Sequence, residues 1–285
     1  MDEHNITILE RIHVAYYQLA AAERRVADYV LVHYDQVQFM SITQLAEECG
    51  TADATVSRFC RSLKLKGFNA FKIELAKYTA ANTAGTLRER AVSTDTSEGR
   101  HLEAARLSHA AIDQTLALLR QEDLLRVVEL FERAGHVYSM GAGGSMLLAN
   151  ECAHLFSTVS NKFFCVWDSH LQMSLVATMS TEDVIVLFSY SGATRNGLEV
   201  LELAKQRRIR TVLITRYPKS PAAKLADVVL CCGSSEGPFQ FGSVPAKVAQ
   251  LTLIDALFQE YLHRNRASSD ENLQRIAAAL SEKHI

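Results

Sequence analysis

The chain has 285 residues, 48% of them hydrophobic, and a formal net charge of −2. That length accommodates two domains of ordinary size, and the apolar share suits packed cores rather than a disordered chain. No apolar run approaches the ~18 residues of a membrane span, and the acidic start MDEHNITILE lacks the basic and apolar regions of a secretory leader, so a soluble, cytoplasmic protein is expected.

Residues 1–80 read as short helices. Ile8, Leu9, Ile12, Tyr16 and Leu19 fall on one helical face, and so do Val26, Ala27, Val30 and Leu31. Three shorter segments follow, SITQLAEECG, TADATVSRFCRSLKLKG and FNAFKIELAKYTA, with no proline and no β-type alternation. The first two have the pattern of a helix-turn-helix. Leu45 and Ala46 point inward, Gly50 tolerates the positive φ of a tight turn, and the second helix buries Val56, Phe59 and Leu63. Its other face offers Thr55, Ser57, Arg58, Arg61 and Ser62, donors of the kind that reach base edges and phosphates from the major groove. Six basic residues (Arg58, Arg61, Lys64, Lys66, Lys72, Lys77) stand against one acid, Glu74, in this stretch. A basic stripe in an acidic chain is an electrostatic footprint for phosphate, although a small helical domain with a solvated basic face has the same periodicity.

TVSRF followed by GF and FK, with AERRVADYVL upstream, resembles the amino-terminal domain of the RpiR family of bacterial transcription regulators over roughly residues 5 to 80. The resemblance implies DNA contacts from Thr55, Ser57, Arg58, Arg61, Ser62, Lys64 and Lys66. Where the family carries a capping serine three residues before the TV pair, this chain has Ala52, a poor N-cap, which leaves Thr51 or Asp53 to substitute.

From Asn82 to Arg100 the composition turns to Asn, Thr, Ser and Gly without apolar periodicity, which reads as a linker, helical in part. The expected organisation is a DNA-binding domain over 1–80, a linker over 81–104 and a second domain over 105–285. Helical patterning resumes near Leu102 and runs to Ala134, with a break expected at Gln121-Glu122-Asp123. Then HVYSM, KFFCVW, DVIVLF, TVLIT and DVVLCC alternate with SMLLANECAHLFSTV, SHLQMSLVATM, RNGLEVLELAKQRR and SPAAKLA, read as helices. Continuous apolar runs are strands buried on both faces. The fold class is therefore α + α/β: an all-α helix-turn-helix domain, then a three-layer α/β/α domain with a five-stranded parallel sheet, whose ligands belong beyond the carboxyl ends of the strands. Two helices, about Val244 to His263 and Asp270 to Lys283, close the chain.

Two turns at that edge carry the chemistry. VYSMGAGGS passes from a strand through Gly141, Gly143 and Gly144 to a helix opening at or near Ser145, so the backbone can approach an anion and free N–H groups can hold it. It lacks the third glycine and the distal acid of the dinucleotide fingerprint. FSYSGAT repeats the logic: Ser189 and Ser191 project from a strand end, Gly192 permits the turn, and Thr194 sits in the first turn of the next helix. A catalytic serine fits poorly, because the positions an α/β-hydrolase elbow needs as glycine are Ser189 and Ala193, and His170 carries no marker of a base. The six cysteines are scattered and read as buried free thiols, and the ten histidines form no cluster with zinc spacing, so neither metal nor cofactor is expected.

The pairing of GxGxS with SxSGxT resembles the SIS (sugar isomerase) domain over roughly residues 105 to 265, and VAQLTLIDALF is similar to its closing helix. The resemblance implies a phosphosugar held by Ser145, Ser189, Ser191 and Thr194 around the glycine turns. It places the sugar end near Glu236, where SIS isomerases carry a base, and near Lys247, in an Ala246-Lys247 pair where these regulators more often read Ser-Arg. Helical DNA reader plus SIS is the RpiR arrangement over essentially the full length. It implies a homodimeric or homotetrameric regulator, with repression the commoner outcome, of a sugar or amino-sugar catabolism operon. The competing reading is a sugar-phosphate isomerase with an accessory helical domain, for which an exposed Arg58 and Arg61 would have no use.

Overall fold

The computed structural model describes residues 7–82, 96–234 and 243–281. They divide into two compact units, one built on the chain up to Arg106 and the other on Leu107–Ser234 and the chain from Val244 onward. No helix among the described residues is long and apolar enough to cross a membrane.

The first unit is all helical: α1 (Ile8–Ala15), a 3-10 turn (Tyr16–Gln18), α2 (Ala21–Val37), α3 (Ile42–Glu48), α4 (Asp53–Ser62) and α5 (Phe68–Asn82). Local signals start these helices: Thr7 with Glu10 forms a capping box ahead of α1, and Ser41 with Gln44 does so ahead of α3. Ile8, Ile12 and Leu19 are all buried, but Leu19 reaches the core only after α1 has ended and the 3-10 turn has redirected the chain. Phe59 of α4 and Phe71 of α5, both fully buried, meet edge-on at 5.4 Å in the centre of this core.

The turn between α3 and α4 is built as the glycine implied. Gly50 has φ +60°, its N–H donates to the Glu47 carbonyl at 3.0 Å, and the Thr51 N–H donates to the Ala46 carbonyl at 2.8 Å. This is a Schellman closure. Ala52 is the N-cap residue of α4, in extended conformation, and no side chain caps the helix. Neither expected substitute does so: the Thr51 hydroxyl donates to the Ala46 carbonyl at 3.4 Å, and the Asp53 carboxylate accepts from the Thr43 hydroxyl at 2.9 Å. Asp53 in the first turn still complements the helix dipole while it ties α4 to α3.

The second unit contains the remainder of α6 (Ser97–Leu118), which begins inside the segment read as linker, and then α7 (Gln121–Arg133). The break falls at Leu119-Arg120. Gln121-Glu122-Asp123 instead opens α7, where acids are favoured, and Arg120 pairs with both Glu122 and Asp123 at 2.8 Å. The sheet follows: β1 (Val137–Gly141), α8 (Gly144–Ser157), β2 (Phe163–Cys165), α9 (Ser169–Thr178), β3 (Val184–Phe188), α10 (Arg195–Arg207), β4 (Arg210–Thr215), β5 (Val228–Cys231), α11 (Val244–Arg264) and α12 (Arg266–Ser281). All five strands pair in parallel, in the order β2-β1-β3-β4-β5. Val186, Phe188 and Ile214 face a core shared with α7, α8 and α11, whereas Ile185, Leu187 and Leu213 face one shared with α9 and α10. These two cores make the three layers and explain why VIVLF is buried at every position.

One expected helix is absent. SPAAKLA forms turns: the Leu225 and Ala226 N–H groups both donate to the Ala222 carbonyl, at 3.0 and 3.1 Å, and the Ala222 N–H donates to the Gly192 carbonyl at 2.9 Å. All six cysteines are free thiols, four buried and two half-buried; burial pushes Cys60 and Cys152 up to about 12.

Two substitutions two residues apart should move stability in opposite directions. A Cβ at Gly50 meets nothing within 4 Å, so Gly50→Ala carries only the left-handed backbone penalty, a loss of about 1–2 kcal/mol in urea denaturation. Ala52→Ser supplies the missing cap at an extended N-cap residue and should gain about 1 kcal/mol in the same measurement.

Candidate functional site

On α4, Arg58, Arg61 and Ser62 are exposed and Ser57 is half-buried. Lys64 and Lys66 are exposed just beyond the helix. Lys64 has φ 59°; its N–H donates to the Arg61 carbonyl at 2.8 Å and the Leu65 N–H to the Cys60 carbonyl at 3.0 Å, so a second Schellman closure presents Lys64 and Lys66 beside the helix end. Thr55 departs from the expected exposed face. It is buried, and its hydroxyl accepts from the Arg58 guanidinium at 3.2 Å. At one turn from the helix start, Thr55 and Val56 both turn inward.

The basic stripe is also shorter than the sequence implied. Lys72 is drawn inside: its ammonium donates to the Met40 carbonyl at 3.0 Å, lies 5.8 Å from the Phe68 ring, and is lowered to about 8 by burial. Lys77 pairs with Glu74 at 2.7 Å. Arg58, Arg61, Lys64 and Lys66 remain as the compact positive surface.

In the second unit both turns stand at the carboxyl edge of adjacent strands, since Gly141 pairs in register with Phe188. The strand order changes direction here, with β2 on one side of β1 and β4 on the other side of β3. Right-handed crossovers then carry α8 and α10 to opposite faces of the sheet and leave a crevice between the turns. Gly141 admits no side chain, because a Cβ would stand 2.9 Å from the Ser145 carbonyl oxygen. Gly143, with φ 56° and ψ −128°, is the N-cap of α8, and Gly144 and Ser145 form its first turn, where the Ser145 N–H donates to the Ala142 carbonyl at 3.2 Å and the Met146 N–H to the Gly143 carbonyl at 3.1 Å.

Across from them, Ser189 is buried and its hydroxyl lies 3.3 Å from that of Thr194. Ser191 is exposed and accepts from the Ala193 N–H at 3.3 Å. Thr194 is the N-cap residue of α10, one position before its expected place in the first turn, and its side chain does not cap. Gly192 has φ 59°, and a Cβ there would collide with the buried Ser220 side chain. The loop is clamped from below, where the Thr215 hydroxyl and the Arg216 N–H both donate to the Tyr190 carbonyl, at 3.1 and 3.0 Å.

A connector absent from the sequence reading joins the two turns. Gln172 of α9 is fully buried. Its amide donates to the Gly141 carbonyl at 3.0 Å and to the Val166 carbonyl at 2.8 Å, and its oxygen accepts from the Asn196 amide of α10 at 2.9 Å. Lys247 is half-buried in the first turn of α11, which packs against α8; the described contacts do not join it to either turn. Glu236 lies outside the described residues. No group of three or more His, Cys, Asp or Glu that could hold a metal ion occurs among the described residues.

A helix-turn-helix with a basic face, carried with a doubly wound domain whose switch-point crevice is lined by glycine turns and hydroxyls, is the build of a transcriptional regulator with a sensor domain. Residues 6–82 match the helix-turn-helix domain of the rpiR family, and residues 130–259 match the SIS domain. An HTH-type transcriptional regulator of Caldanaerobacter subterraneus is 34% identical over 83% of this chain and 84% of its own. HexR of Escherichia coli is 29% identical over 98% and 96%. The structure of Vibrio vulnificus NanR complexed with ManNAc-6P superposes with a TM-score of 0.86 at 26% identity, covering 97% and 98% of the two chains. The chain belongs to the RpiR family of helix-turn-helix transcriptional regulators.

Gln172→Leu would leave the Gly141 and Val166 carbonyls and the Asn196 amide without their buried partner. Chemical denaturation should show a loss of about 1–3 kcal/mol.

Proposed function

We propose that this regulator binds operator DNA through α4 and its flank, and that a phosphosugar in the switch-point crevice controls that binding. Arg58 and Arg61, with Ser57 and Ser62, enter the major groove, Lys64 and Lys66 engage the backbone, and Thr55 holds Arg58 in place. Ser145, Ser189, Ser191 and Thr194, with the backbone of Gly141, Gly143, Gly144 and Gly192, grip the phosphate, and Glu236 and Lys247 serve the sugar end. The observation that carries the reading is the pair of glycine-and-hydroxyl turns meeting at the strand-order reversal, in a chain that also carries an exposed basic recognition helix.

The likeness to NanR, whose structure holds ManNAc-6P, supports an amino-sugar or sugar phosphate as effector and a sugar or amino-sugar catabolism operon as target. One recognition helix reads too few base pairs for useful specificity, so the working form is a homodimer or homotetramer on a two-fold operator, acting as a repressor in the cytoplasm. A ligand that binds the DNA-competent and DNA-incompetent states unequally shifts DNA affinity by that difference.

Arg58→Ala combined with Arg61→Ala should abolish the operator gel shift at physiological salt while phosphosugar binding persists; a normal shift by the double variant would refute the DNA assignment. For the sensor, a thermal-shift screen across phosphosugars that includes ManNAc-6P should find one that stabilises the protein by about 2.7 kcal/mol at 100 times its Kd. Ser191→Ala should lose that stabilisation and keep its ligand-free DNA affinity. Aldose–ketose conversion by the purified protein would count against a purely regulatory crevice.

A further inference from the structure

The amino ends of β4 and β5, at the opposite edge of the sheet from the glycine turns, border a cavity of about 430 Å³. Four cations line it: Lys205 and Arg208 from the end of α10, Arg210 at the start of β4, and Lys224 from the turns before β5. The one carboxylate in the lining, Asp227, is already engaged. It accepts from the Thr211 N–H at 2.8 Å, the Thr211 hydroxyl at 3.0 Å and the Arg210 guanidinium at 3.4 Å. Among the described residues Lys205, Arg208 and Lys224 form no ion pair.

All four cations are exposed, but they do not belong to one element. Cations at a helix carboxyl end complement its dipole, which accounts for Lys205 and Arg208, but Lys224 and Arg210 come from other elements and converge on the same space. Arg208 holds φ 60° and ψ 30°, a left-handed position where glycine is the residue of least cost, in a closure in which its N–H donates to the Lys205 carbonyl at 3.2 Å and the Ile209 N–H to the Ala204 carbonyl at 2.9 Å. The volume suits a small molecule, and the charged lining excludes the apolar ligands that most such cavities take.

We propose that this cavity binds an anion carrying two or more linked phosphates, the guanidinium groups pairing with phosphate oxygens and the ammonium groups neutralising the chain. The site is distinct from the crevice at the carboxyl edge, because the six residues of β4 separate the two edges by roughly 20 Å. It does not depend on the phosphosugar reading.

Isothermal titration of the full chain with inorganic pyrophosphate at fixed ionic strength tests the proposal. Saturable binding is expected, retained by the Arg58→Ala/Arg61→Ala variant and by Ser191→Ala, and weakened about tenfold by Lys224→Gln or by Arg208→Gly, the loss of one charge-assisted contact each. Arg208→Gly carries its own control: relief of the left-handed backbone should raise the thermal midpoint of the anion-free protein even as affinity falls. With ADP as the probe, tighter binding extends the site to a nucleoside and equal binding confines it to the phosphate chain; both support the assignment. Three results would overturn it: no saturable uptake, uptake unchanged in the Lys224→Gln/Arg208→Gly double variant, or displacement of pyrophosphate by non-specific duplex DNA in the Arg58→Ala/Arg61→Ala background, which would reassign the cavity to backbone phosphates.

Discussion

The reversal of strand order between β1 and β3 is the constraint on which the sensor unit depends. A right-handed crossover toward β2 must leave β1 on one face, and a right-handed crossover toward β4 must leave β3 on the other. No connection can fill the space between the two strand ends. A crevice is thus a geometric consequence of the topology, and what remains for the side chains is to decide what it holds. Glycine at 141 and 192 and hydroxyls at 145, 189, 191 and 194 stand at the two turns, with no fixed charge among them.

Keeping that crevice in shape falls to buried polar groups. Gln172 ties the end of β1 to α10 across the gap, and Thr215 with Ser220 supports the FSYSGAT turn from below. In a low-dielectric interior each such bond is costly to break, so the two lips are held at a set separation rather than left to find one on binding. The SPAAKLA segment belongs to the same scaffold: the Ala222 N–H donates to the Gly192 carbonyl.

The DNA-reading unit solves a related problem with local closures. Two Schellman motifs, one at Gly50 before α4 and one at Lys64 after it, fix where the recognition helix begins and ends. Core packing through Val56 and Phe59 sets its rotation. Together these aim Arg58, Arg61, Lys64 and Lys66 outward as one surface. The same rotation turns Thr55 inward, where its hydroxyl accepts from the Arg58 guanidinium.

Local pattern and turn chemistry were enough to read five strands, the helix-turn-helix with Gly50 at its turn, and both crevice turns, because burial periodicity and positive-φ glycines are properties of a few consecutive residues; the edge strand β2, with Phe164 exposed, departs from the burial its apolar run implied. Long-range partners were not legible. Thr55 and Lys72 looked like members of a basic, donor-rich face until the packing of α4 and α5 drew them inside. The fold sets Gln172 beside Gly141 and Asn196 and brings Lys205, Arg208, Arg210 and Lys224 around one cavity. The sequence by itself determined the five strands and most of the helices, SPAAKLA and the start of α6 excepted, and where the chain turns. Only the tertiary structure decided which polar groups face one another, since that depends on which elements pack together, and spacing along the chain carries no record of it.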